Sequence, residues 1–448
     1  MEIRDPVHGS IDIPDTEAMV LDTLAFQRLR QIKQLGFAEF SFPGATHNRY
    51  LHSVGATHVA AQMFDNIFRK YKFSSESVRQ RLRQTLKLAV LLHDIGHGPL
   101  SHASEEVMPP VKDLKVGAYK KFRTDIEIPS EVPAHKSRSK KTKATGRQAN
   151  HEDYTIKFIT DSSLTKVLTS TFSDIPPLAV ACLVDKRLAA PGDFFIDREI
   201  DFRSILSQIV SSELDADRLD YLERDAYFCG TNYGRIEAEW ILTNLTYCQV
   251  ENEMFLALNR RALYAFDDYL LARHHMNLMV YFHHKSIIYE EMLMRYLTSK
   301  ECEFFLPAEI EAYIECTDYA LYQHLSSVDN EWARRITERR IYRVLFELHS
   351  TGEAGRPEKI QKILEGEGIQ VISASSSIRL SKYHGGNSIE KNFPIYVVDI
   401  YDRRAKPYPI EKSTQIFQKY DEIRRIERLY VPPEQIAKAE KIMISRKL

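Results

Sequence analysis

The chain has 448 residues, 44% hydrophobic, 10% aromatic and 27% charged. That balance belongs to a folded globular protein and excludes a wholly disordered or fibrous chain. Its 61 lysines and arginines against 62 acidic residues leave a net charge of −1, so neither a polyanion-coating protein nor an acidic tail is indicated. The five cysteines, Cys182, Cys229, Cys248, Cys302 and Cys316, form no C-x-x-C pair; they support neither a disulfide framework nor a zinc ribbon and read as thiols in a reducing compartment.

The opening MEIRDPVHGS is charged and lacks a signal-peptide apolar region, and no run approaches the roughly 20 apolar residues of a membrane span. A cytoplasmic protein without a membrane partner is expected. Helical periodicity then dominates: a short amphipathic segment Leu21 to Leu35, and long ones at Val78 to Ile95, Ile205 to Tyr227, Leu263 to Leu297 and Trp332 to His349. Between the first two long helices lies a departure in composition. Residues Pro109 to Asn150 carry a net charge of about +7, and the stretch AHKSRSKKTKATGRQ holds no apolar residue larger than alanine, so a basic surface loop is expected there. Gly and Pro cluster at Thr351 to Pro357, and β-like alternation appears near Gly368 to Val371 and Phe393 to Tyr401. The fold class is therefore mainly α, with a helical body over 1–350, a basic insertion at about 109–150, and a small C-terminal α+β region over 351–448.

The segment LKLAVLLHDIGHGPLSH carries the chemistry. An apolar helix runs straight into His93 and Asp94 and is stopped by Gly96, Gly98 and Pro99. An isolated His-Asp pair is ordinarily a satisfied core hydrogen bond, but burying these groups beside one another is costly unless they are paired or hold a metal. Adjacent helical residues diverge by about 100°, so further ligands must come from elsewhere. His52 in HNRYLHSVG and Asp217 in SSELDADRLDYLERD fit, giving an imidazole and carboxylate set suited to Mg, Mn, Fe or Zn. His97 follows His93 by four residues, with His102 and Glu105 next. A histidine changes charge near neutral pH and so suits proton donation to a leaving oxygen. Arg49 lies three residues before His52, and Arg218 follows Asp217. Asp217, Tyr221 and Asp225 recur at i, i+4 and i+8, one helical stripe bearing a carboxylate, a ring and a second carboxylate.

His52, then HDIGHGPLSH, His151-Glu152 and ELDADRLDYLERDAYFCG, in this order, with DPVHG, FQRLRQIKQLG and FPGATHNRYLHS before them, resemble the HD-domain phosphohydrolase superfamily. Within it they are most similar to the deoxynucleoside triphosphate triphosphohydrolases of the SAM-and-HD-domain type, over roughly Ile3 to Lys300. The resemblance implies His52, His93, Asp94 and Asp217 as ligands of a divalent metal, and a second metal bridging phosphates. It implies His97, His102, Glu105 and His151 as catalytic residues, with Glu105 standing where animal relatives have an aspartate. It further implies Arg49, Arg218, His283 and Lys285 at the phosphates and base, and Gln34, Leu35, Tyr221 and Asp225 at the deoxyribose. Asp22, Gln27 and Arg30 match an activating-nucleotide site between subunits, so an allosteric homo-oligomer, dimer or tetramer, is expected. His8 and His47 read as structural or exposed.

The sequence departs from that pattern in two places. In ARHHMNLMVYFHHK an arginine of the family is His274, a histidine is Leu278, a tyrosine is Phe282 and a glutamine is His283, while His284 and Lys285 are kept. The basic insertion between His102 and His151 is much longer than in the animal relatives; it reads as a solvated loop, a lid over a polyphosphate, or a phosphate-backbone contact to nucleic acid. Arg403, Arg404 and Lys406 are candidates to meet an activator phosphate. The expected function is a metal-dependent dNTP triphosphohydrolase. The rival readings are an HD-domain nuclease or other nucleotide phosphohydrolase, and a non-enzymatic nucleotide or nucleic-acid-binding sensor.

Overall fold

The computed structural model describes residues 1–123, 147–350, 355–378, 393–402, 404–413, 416 and 424–446. The tip of the basic insertion, with Lys136, Arg138, Lys140, Lys141 and Lys143, lies outside the described residues, as does Arg403.

The body is mainly α, as its periodicity requires. At its centre is the helix Arg49–Ile67, capped by the Asn48 side chain accepting from Leu51 N at 3.1 Å. It is apolar on opposite sides: Tyr50, Val54, Ala56, Val59, Ala60, Met63 and Phe64 are all buried. A helix buried all round must be central. The helix Glu76–Leu92, capped by Ser75, packs along it and buries every residue from Thr85 to Leu92. The helix Ala216–Cys229 covers another side; Asp215 caps its start and Gly230, at φ +66°, ends it. A hairpin pairs Glu2–Asp5 with Gly9–Asp12 at the N-terminus. Its turn is held by Asp5 Oδ1, which accepts from Val7 N and His8 N at 2.9 Å.

Four expected helices are not continuous. The run Leu21 to Leu35 holds only the short helix Leu24–Gln27 and the tighter turn Arg28–Gln31, and Ile205 to Tyr227 divides into Arg203–Val210 and Ala216–Cys229. The run Leu263 to Leu297 forms a helix Leu263–Met276, a wider π turn Asn277–Tyr281 and, after a break at Phe282 and His283, a second helix His284–Leu297. A π turn inserts one residue into the helical register, which matters for the site below. The run Trp332 to His349 is helical only over Glu331–Thr337; Arg343–Ser350 is a strand. Val344, Phe346 and Leu348 alternate there with a period of two, and pairing with Arg424–Val431 overrides the helical reading.

That strand lies in a three-stranded antiparallel sheet, Arg343–Ser350, Arg424–Val431 and Ile372–Ile378 in spatial order. The helices Arg356–Gly366 and Ile436–Ser445 cover it around Ile360, Leu364, Leu429, Val431 and Ala439. The alternation expected at Phe393 to Tyr401 is a short strand, Tyr396–Val398, but it belongs to the body: it pairs in parallel with Glu253–Asn259. The flanks of the basic insertion are ordered. Pro110 bridges Gln148 and Phe122 bridges Leu188, and Arg147 and Tyr119 both bond the Asp153 carboxylate. No helix among the described residues is long and apolar enough to cross a membrane.

Candidate metal and catalytic centre

Three helices deliver the groups. The Arg49–Ile67 helix carries His52, the end of Glu76–Leu92 carries His93 and Asp94, and Ala216–Cys229 carries Asp217. His52 Nε2 lies 3.0 Å from Asp217 Oδ1 and 3.6 Å from Asp94 Oδ2. His93 Nε2 lies 3.6 Å from the same Asp217 oxygen and 3.5 Å from Asp94 Oδ1. Each imidazole is fixed by its other nitrogen: His93 Nδ1 meets Val90 O at 2.6 Å, and His52 Nδ1 meets Asp220 Oδ2 at 2.8 Å. Both Nε2 atoms are buried and lack a well-directed hydrogen bond. Two buried, aimed imidazole nitrogens beside two carboxylates fit a divalent cation. The donor set of nitrogen and oxygen suits the first-row metals and magnesium alike.

Burial alone would lower the pKa of His52, but the carboxylates of Asp217 and Asp220 overcome it and push it up to about 10. Asp217 moves down despite burial because of His52 and His93. The sign follows. A raised histidine pKa favours the folded chain below about pH 6.5 and that contribution disappears as pH approaches 10. A metal must displace this proton. Metal affinity is therefore expected to rise with pH between 6 and 9, and chelator-treated protein to lose thermal stability over that range while metal-loaded protein does not. Calorimetric titration in buffers of different ionisation enthalpy, which counts released protons, checks it.

A second cluster adjoins the first. His97, His102, Glu105 and His151 bring ligating atoms within 4.8 Å of one another. Glu105 Oε1 bridges His151 Nδ1 at 2.5 Å and His102 Nδ1 at 2.9 Å. The His97 and His151 rings stack at 3.9 Å and 12°, yet their acidities diverge. Burial, Arg49 and His151 hold the pKa of His97 well below its ordinary value. His151 is raised, because the bond and charge of Glu105 outweigh burial. His97 also reaches Asp94 Oδ1 at 3.3 Å, which joins the two clusters. The loop bearing these groups is fastened on every side. Arg28 donates to His97 O at 2.7 Å, Tyr313 OH to Gly96 O at 2.9 Å, and Gly96 N to Thr155 Oγ1 at 3.0 Å. Leu100 N donates to Asp318 at 2.7 Å, where Leu100 and Ser101 both take left-handed φ near +55° to +59°. Gly96 admits no side chain: a Cβ would sit 2.0 Å from His151 O and 2.4 Å from Thr155 N. Gly96→Ala is expected to cost about 3 kcal/mol or more, since only backbone can give way, and to separate His97 from His151; thermal unfolding and activity of the soluble fraction check it.

The remaining expected residues divide. Arg49, 4% exposed, pairs with Asp94 and donates to Ser101 Oγ at 2.9 Å. Arg218 is buried beside Asp215 at 3.4 Å. Asp225 is already engaged, accepting from His47 Nε2 at 2.7 Å and from Tyr281 OH at 2.8 Å. His47 is thus a buried support of Asp225, and its ring stacks on Phe228. Gln34 Oε1 is buried and unpartnered. His283 caps its helix and bonds Ser41 Oγ at 3.0 Å, and Lys285 is exposed. Asp22, Gln27 and Arg30 gather on the outer face around Tyr50: Arg30 bonds Gln27 at 2.8 Å and covers the Tyr50 ring at 3.6 Å, and both Arg30 and Asp22 act on the acidity of Tyr50.

The extra residue of the π turn changes the altered helix. Tyr281, not Phe282, bonds Asp225. Arg273, not His274, shares a buried environment with Arg218, Tyr221 and Tyr269 and pairs with Glu213. His274 lies by Arg424 instead, its pKa lowered by burial and by that cation. An arginine and a tyrosine are thus present one residue earlier than the linear match places them. Sequence reasoning missed Arg273 and Tyr281 because it had no means of locating the π turn, and missed Asp220, Arg224, Asp5 and Arg28 because their burial is non-local.

The HD domain model matches residues 49–161, and that of the HD associated region matches residues 236–365. The chain thus carries an HD domain followed by an HD-associated region, and it resembles HD-domain phosphohydrolases. It is 25% identical to the uncharacterized protein YwfO of Bacillus subtilis over 98% of this chain and 93% of that protein. It is 24% identical to the human deoxynucleoside triphosphate triphosphohydrolase SAMHD1 over 78% of this chain but 56% of that protein, so it spans little more than half of that relative's length. The fold is shared with a hypothetical protein of Aquifex aeolicus, at TM-score 0.69, 23% identity and 99% of both chains. It is shared also with a phosphohydrolase of Bacteroides thetaiotaomicron, at TM-score 0.66 and 21% identity over 96% of this chain and 99% of that one.

Proposed function

We propose that this HD-domain protein is a metal-dependent dNTP triphosphohydrolase, releasing deoxynucleoside and inorganic triphosphate. The observation that carries the reading is the junction of the two clusters through Asp94 and His97, 3.3 Å apart, which sets proton-transfer groups beside a cation site. His52, His93, Asp94 and Asp217 hold the metal, which when bound polarises phosphoryl oxygen and lowers the pKa of water. Arg49, Arg218 and Arg273 neutralise phosphate charge as it develops. His151, kept protonated by Glu105, donates to the leaving oxygen; His102, 67% exposed at its side chain, lies at the mouth of the site. Gln34, Leu35 and Tyr221 bound the sugar. Asp225, fixed by His47 and Tyr281, faces its 3′-hydroxyl, and His283 and Lys285 lie toward the base.

The grouping of Asp22, Gln27 and Arg30 on an exposed face supports an activating nucleotide bound there in a dimer or tetramer, and Arg404 and Lys406 are further phosphate contacts. We assign the protein to the cytoplasm and keep a body over about 1–350 and a C-terminal region over 351–448, with the exceptions that the strand Arg343–Ser350 belongs to the C-terminal sheet and Tyr396–Val398 to the body. The basic insertion supports a second reading, nuclease activity or nucleic-acid contact, through phosphate attraction. Incubation with each dNTP and NTP, singly and mixed, with Mn²⁺ or Mg²⁺ and chromatography of the products tests both readings. Deoxynucleoside from dNTPs alone is expected; cleavage of oligonucleotides with no dNTP turnover would favour the nuclease.

A further inference from the structure

Behind the metal centre lies a buried network of which the roles above use only the Asp220 contact to His52. Asp220 and Arg224 sit at i and i+4 on Ala216–Cys229, on the side away from Tyr221, and both are fully buried. Arg224 donates Nε to Asp220 Oδ2 and Nη2 to Asp220 Oδ1, each at 2.8 Å, and Nη1 to Asp5 Oδ2 at 2.8 Å. His8 Nε2 meets Asp220 Oδ1 at 2.6 Å, and His52 Nδ1 meets Asp220 Oδ2 at 2.8 Å. A carboxylate offers about four acceptor directions, and these four contacts fill them. The network presses on the central helix so closely that a Cβ on Gly55 would lie 2.1 Å from Arg224 Nη2 and 2.2 Å from Asp220 Oδ1.

We propose that Asp220 is a positioning residue for the metal centre, orienting the His52 imidazole and fixing its proton on Nδ1, and that Arg224, Asp5 and His8 hold Asp220 in place. This rests on the reading of His52, His93, Asp94 and Asp217 as ligands. A fold-stabilising ion pair would be complete with Arg224 and Asp5. The contact to His52 adds nothing to that pairing, but it sets the one ring nitrogen left over, Nε2, toward Asp217 and Asp94. A carboxylate behind a ligating imidazole selects its tautomer and raises its basicity. His93 receives the same service from the Val90 carbonyl, which no substitution can remove, so Asp220 is the adjustable support of the pair. The N-terminal hairpin thereby becomes part of the metal site: Asp5 holds His8 N and Arg224 at once.

Cobalt(II) binding to chelator-treated full-length protein tests this, read by competition with a chromophoric chelator and by the visible spectrum of the bound ion. Asp220→Asn is expected to weaken binding about tenfold to a hundredfold and to alter the spectrum, with unchanged circular dichroism. His8→Ala, at a partly exposed position that does not threaten the core, is expected to weaken binding several-fold, and His8→Gln, which keeps a donor, to restore it. A folded Asp220→Asn protein with wild-type affinity and spectrum overturns the proposal. Should that variant not fold, wild-type affinity in His8→Ala overturns it. Asp217→Ala is the control: cobalt binding that survives there sinks the ligand reading itself, whereas binding lost there and kept in Asp220→Asn sinks the positioning role alone.

Discussion

Replacing Asp217 with alanine is expected to abolish stable metal binding and to lower turnover by about a thousandfold or more, the scale seen when a preorganised electrostatic group is removed. Asp217 Oδ1 lies within 3.6 Å of both buried Nε2 atoms, so its loss removes an oxygen that the two imidazoles share. Asp94 is committed to Arg49 and lies 3.3 Å from His97. The folded state should survive, because Asp217 is the most exposed member of the set, at 32% of its side chain. Elemental analysis after dialysis and steady-state turnover of the same preparation check both halves of the expectation.

The second large effect is at Glu105 and His151. His151→Ala is expected to lower kcat by about a hundredfold to ten-thousandfold, the range of a general acid, with KM little changed and metal content intact. Glu105→Gln should act through pH. Glu105 raises His151 by hydrogen bond and charge against burial, while His102 and His151 hold the Glu105 carboxyl low. A raised pKa keeps His151 protonated to higher pH, and the acid is lost as pH rises through it. Without the carboxylate, the alkaline limb of kcat should move to lower pH. His97, held neutral beside it, should leave that limb in place when changed to alanine. Two stacked imidazoles with acidities pushed apart are the arrangement that assigns acid and acceptor roles. A full pH profile of each variant decides the assignment, and an unmoved limb in Glu105→Gln would contradict it.

The sequence carried much of this centre because its groups sit at element ends. His93 and Asp94 follow an apolar run broken by Gly96 and Gly98, and Asp217, Tyr221 and Asp225 share a stripe at helical spacing. What it did not carry depends on burial and on register. Asp220 and Arg224 stand at i, i+4 like any surface ion pair, and their burial against Gly55, Asp5, His8 and His52 has no local mark. His8 reads as structural or exposed, and only the fold places it 2.6 Å from Asp220. The π turn at Asn277–Tyr281 leaves no local mark in an apolar stretch, yet it decides that Arg273 and Tyr281 reach the site. The strand Tyr396–Val398 alternates as expected, but its partner Glu253–Asn259 lies far away in sequence, and pairing at such separation is invisible to periodicity.

The most direct measurement is phosphorus NMR of the products formed from mixed dNTPs by the metal-loaded protein, with Asp217→Ala in parallel. Stoichiometric inorganic triphosphate in the wild type and none in the variant is the predicted result. Pyrophosphate or orthophosphate as the first product, or equal turnover in the variant, would contradict the account.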